Sequence, residues 1–283
     1  MASLKAIRKR IVSVRNTQQI TKAMKMVAAA KLRRAQEAVV QSRTYGEKLG
    51  EVVAGLASES SLREHVLVRD RSPEARVMLI VLTSDRGLCG GFNTNLIRQA
   101  ERFLATPDRT TVLGTIGRKA FDFYKRRSVE IVEHATAGSG SPIDLARSIV
   151  ARAVARFTAG EVDAVHVLFS RFRSAISQVP TVERLLPIEA PSATDSPREY
   201  LFEPDRDAVI ESLLPRYVEV KVFQAVLESI ASEHGARMTA MESASKNASD
   251  MIERLTLEMN RARQATITKE LMEIVGGAEA LKG

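Results

Sequence analysis

Apolar residues recur at every third or fourth position along the C-terminal part of the chain, from Phe223 to Thr266. Their mean spacing is about 3.6 residues, the period of an α-helix that buries one stripe of side chains. No proline follows Pro215, and Gly235 is the only glycine between it and the tail. The pattern therefore predicts one helix over about residues 205–281, and at ~1.5 Å per residue this helix is about 100 Å long. Pro215 is expected to kink it or to mark where its straight part begins.

A second apolar stripe covers the N-terminal segment. It begins at Leu4, pauses at a polar break over residues 16–19 and resumes at Met24. No proline interrupts it and its first glycine is Gly46, so we expect one helix from Ser3 to about Ala57, ~80 Å long. Neither long helix can be one side of an ordinary core, because a typical helix has only about 11–12 residues.

Shorter segments alternate in type between the two long helices. Arg76 to Thr83 is a continuous apolar run of strand length, typical of a buried parallel strand. The next six segments are predicted as helix and strand in turn, over residues 93–105, 110–116, 118–127, 129–134, 142–157 and 164–172. Val179 to Ile188 alternates apolar with polar residues and is predicted to be a strand at the sheet edge. This alternation indicates βαβ units around a mostly parallel sheet.

The predicted fold class is α/β, with a Rossmann-like α/β domain inserted between two long helices that form an antiparallel coiled coil. The predicted parts are an N-terminal coiled-coil helix (1–57), the α/β domain (75–204) and a C-terminal coiled-coil helix (205–283). If the helices leave the domain on the same side, residue 3 lies level with about residue 259. Asn260 to Leu281 then projects beyond the N-terminal helix, and its apolar residues need a socket from another chain.

Positive charge is concentrated at the N-terminus. The net charge is +8, and the first 34 residues carry ten Lys or Arg and no Asp or Glu. Such a segment suits an acidic protein surface or a nucleic acid. Interleaved aromatic residues for base stacking are missing, however, because Tyr45 is the first aromatic residue. A transit peptide is also rich in Arg, but here the helical pattern runs on through Arg33 and Arg34 without a processing site.

Residues with catalytic or ligand-binding chemistry are few. The single cysteine, Cys89, excludes an internal disulfide and a zinc site built from cysteines, and the four histidines form no metal-binding pair. No apolar run reaches the length of a membrane span. The Gly-rich loop from Ser84 to Asn93 has the place of a phosphate-binding loop but matches neither common nucleotide motif. A tight turn whose glycines permit close packing is the simpler interpretation.

Three motifs together carry a specific resemblance. They are Ile20–Lys31 (ITKAMKMVAAAK), Ser84–Gly91 (SDRGLCGG) and Ala262–Leu271 (ARQATITKEL). In this order and at these distances they resemble the gamma subunits of rotary, F-type ATP synthases, and the resemblance covers essentially the whole chain. It implies a central rotor shaft, whose two terminal helices form an antiparallel coiled coil inside a ring of alternating alpha and beta subunits.

The resemblance also implies how such a shaft acts. The Rossmann-like domain binds no nucleotide and lies toward the membrane with the epsilon subunit and the ring of c subunits. Proton flow turns the c ring and the shaft, and the asymmetry of the shaft drives the beta sites to bind ADP and phosphate, form ATP and release it. The chain is then expected to be a non-catalytic subunit, present once per complex, with no active site, cofactor or nucleic-acid partner. Without a transit peptide, the expected location is peripheral, on the cytoplasmic face of a bacterial inner membrane.

Several residues match functional positions of that family. Arg263, Gln264 and Thr268 resemble its polar contact, or catch, against loops of the beta subunit. Met24 lies where the N-terminal helix of the family meets an acidic segment of beta. The resemblance thus implies beta contacts at two places on the terminal helices.

Further positions are implied on the flanks and at the base. Lys9, Arg33 and Arg34 are expected partners for acidic loops of beta. The segment expected to press on the c ring and epsilon, called the foot below, consists of Tyr200, Leu201, Phe202 and Glu203. Two readings remain beside the rotor: a nucleotide-dependent enzyme that uses the Ser84–Asn93 loop, and a basic coiled-coil adaptor for nucleic acid.

Overall fold

A computed structural model describes residues 4–56, 62, 64–138, 140–189, 203 and 205–280, without the side chains of residues 278–280. The chain divides into two compact units. Unit 1 combines residues 1–27 with residues 238–283, and unit 2 comprises residues 28–237.

The order of helices and strands follows the predicted alternation. The elements are α1 (Leu4–Gly55), β1 (Arg76–Leu82), α2 (Phe92–Leu104), β2 (Thr110–Ile116), α3 (Arg118–Tyr124), β3 (Ile131–Ala135), α4 (Pro142–Thr158), β4 (Ala164–Phe172), β5 (Gln178–Leu186) and α5 (Arg206–Ala280). The two long helices are confirmed, and α5 continues through Pro215. One helix was predicted too long: α3 ends at Tyr124, where Arg127 N donates to Tyr124 O (2.9 Å) and turns the chain toward β3.

The core of unit 2 is a five-stranded sheet in the order β3-β2-β1-β4-β5. All neighbouring strands are parallel except β5, which pairs antiparallel to β4 at the edge. The mostly parallel sheet and the edge position of Val179–Ile188 are therefore confirmed. Strand β1 lies at the centre and is buried along its length except at Arg76, because helices cover both faces of the sheet.

Different helices pack against the two faces of the sheet. Met78 and Ile80 of β1 face a core formed by α4, the end of α1 and the first turns of α5, which supply Leu145, Val150, Phe157, Val53, Leu214 and Val222. Leu79 and Val81 point the other way, toward α2, α3 and Ala236 of α5. The period-2 alternation of β1 thus joins helices of both faces into one unit.

In unit 1, the first part of α1 packs antiparallel to the last part of α5. Gln18 contacts Ser249 and Lys25 contacts Glu242, so the partner number falls as the α1 number rises. At the far end, Ile7, Ile11 and Leu255 are buried in an apolar cluster that also includes Ala262. None of the helices among the described residues is long and apolar enough to cross a membrane.

Candidate functional site

The Gly-rich loop at the end of β1 is closed by its own side chains. Ser84 donates its backbone N–H to Asn93 Oδ1 (3.0 Å), and its hydroxyl donates to the carbonyl of Arg86 (2.6 Å). Asn93 Nδ2 lies 3.1 Å from Cys89 Sγ. Burial raises the pKa of the Cys89 thiol, so the thiol stays protonated and is unsuited to act as a nucleophile. The loop is held as a compact turn.

The carboxylate of Asp85 occupies the position where a bound anion would be expected. Its Oδ1 accepts hydrogen bonds from the backbone N–H groups of Arg118 (3.1 Å) and Ala137 (3.2 Å). Its Oδ2 accepts one from Gly138 N (2.8 Å). Backbone N–H groups beyond the carboxyl ends of strands are the usual cradle for phosphate in this type of sheet. Here the chain supplies its own anion.

Helix α5 fills the other expected ligand position. In a sheet of this order, ligands bind beyond the carboxyl ends of β1 and β4, where the strand order reverses. In this protein Ser232 Oγ donates to Ser170 O (2.8 Å), and Phe172 N donates to Glu228 Oε2 (3.3 Å). Ser232 and Ser170 are buried. The geometry of unit 2 therefore favours the tight-turn interpretation of the Ser84–Asn93 loop.

A charged cluster on α5 ties the helix to this loop. Arg237 pairs with Glu233 (2.7 Å) and donates to the carbonyl of Gly87 (3.3 Å). Burial raises the pKa of Glu233, while the neighbouring Arg237 opposes the rise. Burial, together with Arg237 and Lys31, lowers the pKa of His234 to about 4, so this histidine is neutral at neutral pH. The cluster joins α5 to the Gly-rich loop and presents no free acid–base pair.

The predicted contact residues on α1 lie on its surface. Lys9 is exposed and Met24 is half-buried, and both belong to unit 1. Arg33 and Arg34 are exposed in unit 2, and Arg33 pairs loosely with Glu37 (3.4 Å) on the next turn. An exposed i,i+4 pair contributes only about 0.3–0.5 kcal/mol. The guanidinium of Arg33 is therefore free to form an ion pair with an acidic group of another protein.

The predicted contact residues on α5 lie just beyond the helix pair. Ala262 is the last α5 residue in the apolar cluster with α1. Arg263, Gln264 and Thr268 follow it and are exposed, as are all the described side chains from 263 to 277. The structure thus brings Arg263, Gln264 and Thr268 together on one exposed stretch, whereas Met24 lies at the other end of unit 1.

Apolar side chains mark this exposed stretch of α5, called the tip (residues 263–277). Ile267, Leu271, Met272, Ile274 and Val275 are 50–73% exposed. The predicted projection is found, and it begins about three residues later than Asn260. In the foot, Glu203 is exposed, while Tyr200, Leu201 and Phe202 lie outside the described residues.

Comparison with known proteins identifies the family. A family model described as ATP synthase matches residues 3–281. The ATP synthase gamma chain of Geobacter metallireducens is 51% identical over the full length of both chains. The chain belongs to the ATP synthase gamma-chain family. A second gamma chain, from Desulfitobacterium hafniense, is also 51% identical, again with 100% of both chains covered.

Solved structures of ATP synthases contain chains of similar fold. A chain of the central stalk and c ring of the Tetrahymena thermophila mitochondrial ATP synthase is 28% identical, with a TM-score of 0.65, covering 80% of this chain and 99% of that one. A chain of the Euglena gracilis mitochondrial ATP synthase gives a TM-score of 0.70 at 20% identity, covering 98% and 94%. The second similarity supports the fold alone.

Asp85 is a structural residue whose capping of a turn the sequence offers as one possibility. Its distant backbone partners could not be read from its place in the loop, three residues after the end of β1. Replacing it by alanine removes the acceptor of three backbone N–H groups, and we expect a loss of about 1–2 kcal/mol in the free energy of unfolding. Sulfate should restore part of this loss by occupying the freed position, as measured by urea unfolding with and without the salt. Asp122→Ala, which removes an exposed carboxylate paired with Lys125, is the control. A variant as stable as the control would contradict the capping role.

Proposed function

We propose that this chain is the central rotor shaft of an ATP synthase. Proton flow turns a ring of c subunits, the shaft turns with it, and the catalytic sites of the surrounding ring respond by making ATP from ADP and phosphate. The chain itself is the non-catalytic gamma subunit, and it transmits rotation. The observation that carries the proposal is the exposed apolar tip in a chain of the gamma family.

The tip is difficult to explain in a free protein. Five large apolar side chains within nine residues are each at least half exposed. Contiguous exposed apolar surface usually marks a protein interface. A rotating shaft needs a sleeve that covers such a surface without holding it in one orientation. Apolar contact suits this need because it is not directional, whereas buried, tightly paired charges would resist turning.

The partners follow from the proposed role. They are the alpha and beta subunits around the helices, and epsilon and the c ring at the base, with one copy of this chain per complex. The complex would hold the chain at the cytoplasmic face of a bacterial inner membrane, as a peripheral subunit attached through the c ring. The proposed division of tasks is 1–57 and 205–283 for the coiled coil and 75–204 for the α/β domain.

Individual residues are assigned proposed contacts. Arg263, Gln264 and Thr268 would form a polar catch on loops of beta, since all three are exposed at the start of the tip. The exposed basic residues Lys9, Arg33 and Arg34 would face acidic loops of beta. The base of the shaft would rest on the c ring through the foot, Tyr200, Leu201, Phe202 and Glu203.

Copurification tests the assembly. An affinity tag on this chain should recover alpha, beta and epsilon in a fixed ratio from membranes, and c subunits when the membranes are solubilised with mild detergent. Recovery of the chain alone, or with nucleic acid in place of these subunits, would refute the proposal.

Met24→Lys tests the proposed contact on α1. Lysine adds a charge at a half-buried surface methionine, and surface substitutions usually change stability by no more than about 0.5 kcal/mol. We expect the ratio of ATP made to protons passed to fall by about tenfold, the loss of roughly 1.4 kcal/mol of contact energy. Coupling is measured in inverted membrane vesicles, and the thermal unfolding midpoint of the chain should hardly move. Met26→Lys, an exposed methionine two residues away on a different side of α1, is the control. Equal losses of coupling and of folding would count against a contact role.

A further inference from the structure

The contact between α1 and α5 in unit 1 changes character along its length. Near the start of α1 it is apolar, with Ile7, Ile11 and Leu255 buried. Farther along α1 it is polar. Gln18 Nε2 donates to Ser249 Oγ (2.6 Å), the hydroxyls of Thr21 and Ser245 are 2.7 Å apart, and Lys25 Nζ donates to Glu242 Oε1 (2.6 Å). These six residues are called the polar seam.

The hydrogen bonds of the seam form a connected set. Thr21 Oγ1 donates to the carbonyl of Gln18 (3.0 Å), so its only proton is committed there. The hydroxyl of Ser245 must therefore donate to Thr21. Thr21 is only 8% exposed, which shields this pair from water. Gln18 therefore links two hydrogen bonds between α1 and α5: its side chain donates to Ser249, and its backbone carbonyl holds the Thr21 hydroxyl that accepts from Ser245.

Only the observed alignment satisfies all three pairs of the seam, although a shift of one turn would keep some polar contacts: Gln18 would meet Ser245 in one direction, and Thr21 would meet Ser249 in the other. If α5 shifted by one turn so that each α1 residue met the residue four positions earlier, Thr21 would face Met241 and Lys25 would face Met238. A shift in the other direction would set Lys25 against Lys246. The first shift leaves Thr21 and Lys25 without their polar partners, and the second brings two like charges together. Apolar layers alone tolerate such shifts far better, because any apolar neighbour satisfies them.

We infer that the polar seam is a register lock, which fixes the axial position of α5 against α1 within unit 1 and so sets how far the tip extends beyond α1. One helical turn is about 5.4 Å, so a slip of one turn would displace Arg263, Gln264 and Thr268 by that distance. The effect of such a slip on coupling rests on the proposed function. The lock itself rests on the contacts of unit 1 alone.

The test removes the lock and reads the register directly. Thr21→Val with Ser245→Ala replaces the linked hydroxyls by apolar groups, a change that often leaves stability unaltered. Register is read by disulfide trapping in the full-length chain, both purified alone and in its complex. Val14→Cys with Ile252→Cys reports the native alignment, while Val14→Cys with Ala248→Cys or Thr256→Cys reports a shift of one turn. Cys89 is buried and does not compete.

We expect shifted disulfides to rise at least about tenfold in the apolar variant, since the lost preference of roughly 1.4 kcal/mol corresponds to that factor. Thr17→Val with Ser243→Ala, which alters two exposed residues on the same helices, should give only the native disulfide. So should Thr21→Ser, which keeps the hydroxyl. If the double variant does not assemble, Ser245→Ala alone is read by the same cysteines and should give a smaller rise. Shifted disulfides that stay at the control level would overturn the register lock.

That outcome is separable from failure of the proposed function. If the apolar variant slips in register but the chain does not copurify with the other subunits, the register lock stands and the rotor function is refuted. A chain that assembles and couples normally, with one register in every variant, would retain the rotor and refute the lock.

Discussion

Deletion of residues 263–283, which include the tip, is expected to reduce proton-driven ATP synthesis by at least about tenfold, the loss of roughly 1.4 kcal/mol or more of contact between the shaft and the surrounding ring. The described side chains of this segment are exposed from 263 to 277, and the buried pairs of unit 1 all lie before it. The folded parts should therefore survive the deletion. What is lost is the apolar surface that the sleeve would grip and the polar residues at its start.

Two measurements separate this effect from loss of folding. Synthesis is followed in energised vesicles, and the circular dichroism of the purified chain is compared with that of the full-length protein. The matched control exchanges Ile267, Leu271 and Ile274 for serine and leaves the length of α5 unchanged. An intermediate loss in the control would place the effect in the apolar contacts. Full synthesis by the shortened chain would exclude a bearing role for the tip.

Gly117→Ala is expected to cost about 3 kcal/mol or more in the free energy of unfolding, by adding backbone strain to a severe clash. Gly117 joins β2 to α3 with a φ of +87°, and an added Cβ would lie 2.1 Å from the carbonyl oxygen of Thr83. That oxygen belongs to the backbone and cannot move aside. The hydroxyl of Thr83 also donates to Ile116 O (3.0 Å) and accepts from Ala120 N (3.0 Å). The clash would therefore disturb the central strand and α3 together.

Gly140→Ala is the matched control for backbone strain. Gly140 has nearly the same φ, +88°, but an added Cβ would have no neighbour within 4 Å. Its replacement should cost only the strain of the left-handed conformation, about 1–2 kcal/mol. Urea unfolding of the two variants gives both values. Equal losses would mean that the close approach to Thr83 has no energetic weight.

The sequence predicts the long helices well, because their 3.6-residue period recurs over many turns and little competes with it. The strands are also predicted closely, since buried parallel strands have continuous apolar runs. The helix predicted over residues 118–127 is too long because Lys125, Arg126 and Arg127 are all good helix formers. Only the return of the chain toward β3, a tertiary effect, ends α3 at Tyr124.

The contacts that decide the candidate sites could not be predicted in the same way. Asp85 meets Ala137 and Gly138, residues more than fifty positions away, and Ser232 of α5 crosses the carboxyl end of β4 at Ser170. Such meetings depend on topology. The polar seam left a partial trace, because the break at residues 16–19 and Ser245 both interrupt apolar stripes. Which residues pair depends on the register of the two helices. The register predicted from the sequence differs from the observed one by about one helical turn.

If this chain is the rotor, it turns inside its complex, and a bead attached to it would make that rotation visible. Ile176 is 86% exposed on the turn between β4 and β5, so Ile176→Cys offers an accessible thiol while Cys89 stays buried. The catalytic ring is fixed to a surface and a bead is attached at this thiol. On addition of ATP the bead should turn continuously in one direction and stop when ATP is removed. ATP hydrolysis at an undiminished rate with a stationary bead would contradict the rotor.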